Sequence, residues 1–172
     1  MFNPGDKVNY GINGVCIVEG IRREKIGRQT HEYYVLKPMM QSRSTICVPM
    51  DNDTLVSKML PLLSREGLEE ILSDLPNLST RWIENDLERT TEFKRILKTA
   101  DRRSIFGVIK TIYRRDQELQ SQNRHLRGSD QQIMKEAESI LYYEIAQVLS
   151  IDPAEVLPYL VSRFDPQKTE EE

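Results

Sequence analysis

Three cations recur along one stretch of the chain: Arg103, Lys110 and Arg114 stand at i, i+7 and i+11. On a helix those offsets return to one face. A row of guanidinium and ammonium groups there suits phosphate oxygens, giving interactions that weaken as salt rises and that read no bases. Lys94, Arg95 and Lys98 precede this row, and Arg102 and Arg115 extend it. Trp82, the sole tryptophan, follows Arg81 a short way upstream, near the start of what reads as a helix. An indole beside such a block has two uses, as packing in a small core or as an apolar wedge between base steps. Both readings stand at the level of sequence.

Little else offers chemistry. His31 and His125 lie far apart in differently patterned regions, and no phosphate-cradling glycine loop, H-E-x-x-H or G-x-S-x-G pattern occurs. The carboxylates of Glu69 and Glu70, and of Glu84, Asp86 and Glu88, have no catalytic partners in the pattern and read as solvated acidic faces. Two cysteines, Cys16 and Cys47, are too few for a disulfide scaffold or a zinc site and fall within strand-like runs, where they are expected as thiols. The expectation is a non-enzymatic protein without metal or cofactor.

The elements that must position these groups change character near residue 55. Before it, short β-branched and aromatic runs (Lys7 to Tyr10, Val15 to Val18, Tyr33 to Leu36, Thr45 to Val48) alternate with turn residues at Asn13-Gly14, Gly27-Arg28-Gln29 and Gln41-Ser42-Arg43. That is an antiparallel meander, predicted to curl into a small, partly open barrel whose edge strand another protein can extend. Beyond it the apolar period is helical. Ser64 to Asp74 carries Leu68, Ile71, Leu72 and Leu75, and Asp101 caps a segment with Ile105, Val108, Ile109 and Ile112 on one stripe. Ser129-Asp130 opens a further helix, and Asp152-Pro153 a short last one.

The 172 residues are 38% hydrophobic and 30% charged, enough for one medium domain or two small modules. The net charge of −3 conceals segregation: residues 89–127 carry 11 Lys and Arg against 4 Asp and Glu, between acidic flanks. The predicted fold class is α+β, a small antiparallel β barrel over residues 1–57, a compact all-α domain over 58–165 and a frayed acidic tail over 166–172. No apolar run approaches bilayer length and the start lacks a signal-peptide layout, so a cytoplasmic protein is expected.

Gly5-Asp6-Lys7-Val8-Asn9-Tyr10, Gly14 to Val18, Glu32 to Lys37 and Ile46-Cys47-Val48-Pro49 occur in an order and spacing that resembles the CarD/CdnL family of bacterial transcription regulators. Leu97 to Asp101 and Ile112 to Asp116 resemble that family's helical domain. The N-terminal pattern also occurs in the polymerase-interacting module of transcription-repair coupling factors. The resemblance implies that the barrel is Tudor/SH3-like and binds the RNA polymerase β subunit through an exposed strand, here Arg43, Thr45, Ile46, Cys47, Val48 and Pro49. It also implies a helical domain touching promoter DNA at the upstream edge of the bubble through Arg81, Trp82, Lys94, Lys98, Arg103, Lys110, Arg114 and Arg115. Two positions depart from the pattern. Cys47 stands where some relatives place a polymerase-contacting Arg, and Trp82 lies several residues further upstream of Leu97-Lys98 than the family's wedging tryptophan. The competing reading is a protein-interaction adaptor whose helical domain never meets DNA.

Overall fold

The computed structural model describes residues 1–39, 44–99 and 101–164 and divides the chain into two compact units, Met1–Leu62 and Leu63–Glu172. The first is built on a five-stranded antiparallel sheet and the second is helical, an α+β chain as predicted. The expected turn at Gln41-Ser42-Arg43 and the acidic tail lie outside the described residues.

In the first unit the strands are β1 (Lys7–Tyr10), β2 (Val15–Ile26), β3 (Gln29–Pro38), β4 (Ile46–Pro49) and β5 (Met59–Pro61), in the order β4-β3-β2-β1-β5. Sequence periodicity does not reveal β5. Its three residues are too few to show a period, and they become a strand by pairing with β1, Tyr10 opposite Met59 and Val8 opposite Pro61. Residues 58–62 therefore belong to the sheet unit, and the boundary moves from 57/58 to 62/63. Between β4 and β5 a single helical turn, α1 (Asp53–Val56), is capped by Asn52, whose side chain accepts from the Leu55 amide.

β2 and β3 are longer than their apolar runs suggest. A register shift between Val18 and Gly20 ends the buried part of β2, while β3 stays paired with β4 as far as Tyr33; beyond it β2 and β3 continue alone as a ribbon from Arg23 opposite Glu32 to Ile26 opposite Gln29. Such a ribbon buries little, so it carries charge, Arg23, Glu24 and Lys25, where periodicity offers no signal. Gly27 has φ 64, the positive φ that a II′-type hairpin requires at its first position. The β1–β2 connection is a one-turn 3-10 helix, Gly11–Asn13, closed by Gly14 at φ 62, ψ −144. The core is formed by Val8, Cys16, Val18, Tyr34, Leu36, Val48 and Met59, with the Phe2 ring edge-on to Tyr34 at 6.2 Å.

The second unit contains α2 (Arg65–Ser73), α3 (Asp86–Lys98), α4 (Arg102–Ser121), α5 (Gly128–Leu149) and α6 (Pro153–Phe164). The predicted cap Asp101 accepts from the Ser104 amide, and Ser64 likewise caps α2 by accepting from the Gly67 amide. α3 begins at Asp86, capped by Asn85, so Trp82 precedes it in an irregular segment instead of lying near a helix start. α4 is the central element: residues Ile105 through Lys110 are all buried in succession. It is enclosed on the side that periodicity leaves polar because the segment after α2 crosses it. The Thr111 hydroxyl bonds both the N–H and the C=O of Thr80, at 3.1 and 3.0 Å, and a Cβ on Gly107 would meet the Ser79 backbone at 3.4 Å.

Candidate interaction site

In the sheet unit the feature of interest is β4, which ends the sheet order and pairs on one side with β3, Val35 opposite Cys47 and Leu36 opposite Ile46. The pleat turns Val48 into the core and leaves Thr45 and Cys47 exposed, with Ile46 and Pro49 half-buried. Arg43 lies outside the described residues. Where the family resemblance leads one to expect an arginine on β4, the cation comes from β2: an Arg22 guanidinium nitrogen lies 4.0 Å from the Cys47 Sγ. Sequence reasoning misses Arg22 because only the β2–β3–β4 register brings it diagonally across the sheet from Cys47. Cys16 is fully buried, and burial pushes its thiol up to about 11.

In the helical unit the predicted cations divide three ways. Lys110 is a correction: it is 1% exposed, and its ammonium donates to the Leu75 and Pro76 carbonyls, the latter at 2.7 Å, in the turn after α2. Burial lowers its pKa, the neighbouring Arg114 charge lowers it further and Asp74 opposes both. The row Arg103–Lys110–Arg114 is therefore not one displayed face. Arg103 is spent on carboxylates, 2.7 Å to Asp74 and 3.0 Å to Glu70, and the half-buried Arg115 pairs with Glu118 at 2.9 Å. Arg81, Lys94, Lys98 and Arg114 are exposed and make no ion pair among the described residues; Lys94 and Lys98 share one face of α3.

Trp82 is half-buried. Its ring has the Arg89 guanidinium carbon 4.2 Å from its centroid, that of Arg115 at 5.4 Å, and Phe93 edge-on at 6.4 Å. Arg89 is a site residue that sequence reasoning misses, yet a signal is available. It stands at i−4 and i−7 from the buried Phe93 and Ile96, on the apolar stripe of α3, where a charged residue needs a buried partner. That partner, Asp130, sits on the stripe of α5, three before Ile133. The same signature marks Glu144, 0% exposed and bound by Arg102 at 2.7 Å and by the Leu63 amide at 2.9 Å.

On the other side of the Trp82 segment, Arg81 and Ile83 line a groove of about 640 Å³ with Leu87, Thr91 and Ile96; Leu87 is 77% exposed. Among the described residues no cluster of His, Cys, Asp and Glu is arranged to hold a metal ion, and no helix is long and apolar enough to cross a membrane.

A comparison with protein-family models matches residues 2–60 to the CarD-like/TRCF RID domain, an RNA polymerase-interacting and transcription-associated class of interaction module. The match coincides with the sheet unit, from the segment before β1 to β5. Over residues 2–60 this chain is thus similar to the CarD-like/TRCF RID domain.

Proposed function

We propose that the protein is a non-enzymatic regulator of transcription initiation. In this reading β4 docks on the β subunit of RNA polymerase by extending a sheet, and the helical unit contacts promoter DNA at the upstream edge of the bubble, so that the open complex lives longer. The observation that carries it is the family match over residues 2–60 together with the terminal position of β4, whose Thr45 and Cys47 face outward. Backbone pairing along an edge supplies affinity, and the outward side chains with Arg22 supply selectivity. Arg81, Lys94, Lys98 and Arg114 are the cations available to phosphates, and tethering to polymerase lets a weak DNA interaction act at high effective concentration.

The test uses the full chain. Thr45→Pro should weaken capture by polymerase. Lys94→Glu/Lys98→Glu/Arg114→Glu should leave capture intact and shorten open-complex lifetime in a competitor challenge. It should also flatten the slope of log affinity against log salt by about 0.9 for each phosphate that is no longer neutralised.

The adaptor reading is favoured by specific observations: Lys110 and Arg103 are withdrawn from any basic face, and the groove at Leu87 offers an apolar surface. Intact lifetimes in the triple reversal, with polymerase still bound, would select it.

A further inference from the structure

We infer that Arg89 is the positioning residue for Trp82, holding the indole in a set orientation before any partner arrives. The inference rests on the proposed function, with Trp82 taken as the aromatic side chain that the family resemblance implies at promoter DNA.

A guanidinium has five N–H donors in one plane, and all five of Arg89 are used. Nε donates to Asp130 Oδ1 at 2.9 Å and Nη2 to Asp130 Oδ2 at 2.8 Å, a bidentate pair. Nη2 also donates to Asp86 Oδ1 at 2.7 Å, and Nη1 to the carbonyls of Ile83 at 2.6 Å and Glu84 at 3.3 Å. With its edge consumed, the cation has only its faces left, and Trp82 occupies one at 4.2 Å. The partners come from three places: Asp130 from the first turn of α5, Asp86 from the first residue of α3, and the two carbonyls from the residues directly after Trp82. Arg127 closes the arrangement by also donating to Asp86. The backbone on the C-terminal side of the indole is thereby fastened to the helix on which the indole rests.

The chemistry is costly for packing alone. Arg89 and Asp130 are each 2% exposed, and an apolar pair of similar volume fills such a site at least as well, since desolvating two charges offsets most of their attraction. What apolar residues lack is direction. They would neither grip the 83 and 84 carbonyls nor present a flat cation to the ring. A tryptophan ordered in advance loses less entropy when it inserts, and preorganisation of this kind raises affinity without adding an interaction. Arg115, at 5.4 Å and engaged with Glu118, lies more loosely on the ring and plays the lesser part.

Because Trp82 is the only tryptophan, its fluorescence in the full chain reports this site alone. Arg89→Lys keeps the charge and the buried stem but lacks the planar fork. It should melt cooperatively, shift Trp82 emission to the red, raise acrylamide quenching about twofold and shorten open-complex lifetime about three- to tenfold, the range that a stacked cation is worth. Polymerase capture should not change. Arg115→Ala should move emission and quenching far less.

Unchanged emission and quenching in folded Arg89→Lys overturns the inference. Should that variant fail to fold, the wild-type indole N–H decides: an order parameter of about 0.85, equal to the helices, is expected, and a value below about 0.6 overturns it. If the wild-type chain has no effect on open complexes while the spectroscopic results hold, the proposed function fails and the positioning of Trp82 stands.

Discussion

Lys110 and Arg114 lie four residues apart on α4, and reversing their charges should have very unequal consequences. Lys110 holds two carbonyls of the turn after α2 from inside the unit. Each hydrogen bond from a charged donor is worth about 1.5–3 kcal/mol, discounted here because the ammonium is itself desolvated, as its lowered pKa records. Lys110→Met, which keeps the buried stem, is therefore expected to cost about 2–4 kcal/mol, a fall in Tm of about 10–20 °C for a unit of this size. Lys110→Glu adds a buried carboxylate facing carbonyl oxygens, several kcal/mol more, which approaches the whole stability of a small domain at about 5–15 kcal/mol. Arg114→Glu, exposed and unpaired, should fall within about 0.5 kcal/mol of wild type and relieves repulsion on Lys110. Circular dichroism melts of the full chain and urea titrations followed by Trp82 emission read all three. A Lys110→Glu chain that melts within a few degrees of wild type would refute the buried placement. A triple reversal at Arg103, Lys110 and Arg114 would abolish any activity simply by unfolding the unit, which is why the functional test uses Lys94, Lys98 and Arg114.

Other outcomes follow from single sites. Native chain at pH 8 should yield one thiol to a disulfide reagent, the exposed Cys47, and two in denaturant. Burial raises Cys16 from 9.0 to about 11, so the folded sheet unit holds a proton that the unfolded chain releases between those values. Stability present below pH 9 is therefore lost as pH rises through that window, by about 1–3 kcal/mol, and Tyr10, raised by burial and by Cys16, acts in the same direction; protection of Cys16 from labelling should collapse accordingly. Gly14→Ala should cost about 1–3 kcal/mol because φ 62 with ψ −144 is a conformation only glycine adopts easily, whereas Gly20→Ala, with open space around its Cβ, should stay within about 0.5 kcal/mol. Glu144→Ala leaves Arg102 half-buried beside an empty site and the Leu63 amide without its acceptor; a loss of about 3–5 kcal/mol is expected in the same melts.

Much of this molecule is legible without coordinates, and the reason is locality. The cap Asp101 and the apolar stripe that follows Ser64 depend on neighbours within a turn or two, and the change from period two to period 3.6 separates sheet from helices in the chain itself. The four main strands and the α+β class follow from those local facts, and the resemblance of residues near 5–49 to polymerase-interacting modules rests on short strings whose order is visible directly. Even two buried ion pairs leave a trace, since Arg89, Asp130, Arg102 and Glu144 each occupy an apolar stripe.

What only the tertiary structure decided concerns groups whose meaning is set by segments distant in sequence. Lys110 and Arg114 are indistinguishable as members of a basic row, and the crossing of the 74–83 segment over α4 makes one a buried clasp and leaves the other in solvent. β5 becomes a strand because β1 has an open edge beside it. Arg22 reaches Cys47 through the register of three strands. The orientation of Trp82 is written in no window around residue 82: it depends on a guanidinium seven residues later, held by a carboxylate 41 residues beyond that, and burial gives such a pair a geometry that charge and spacing cannot.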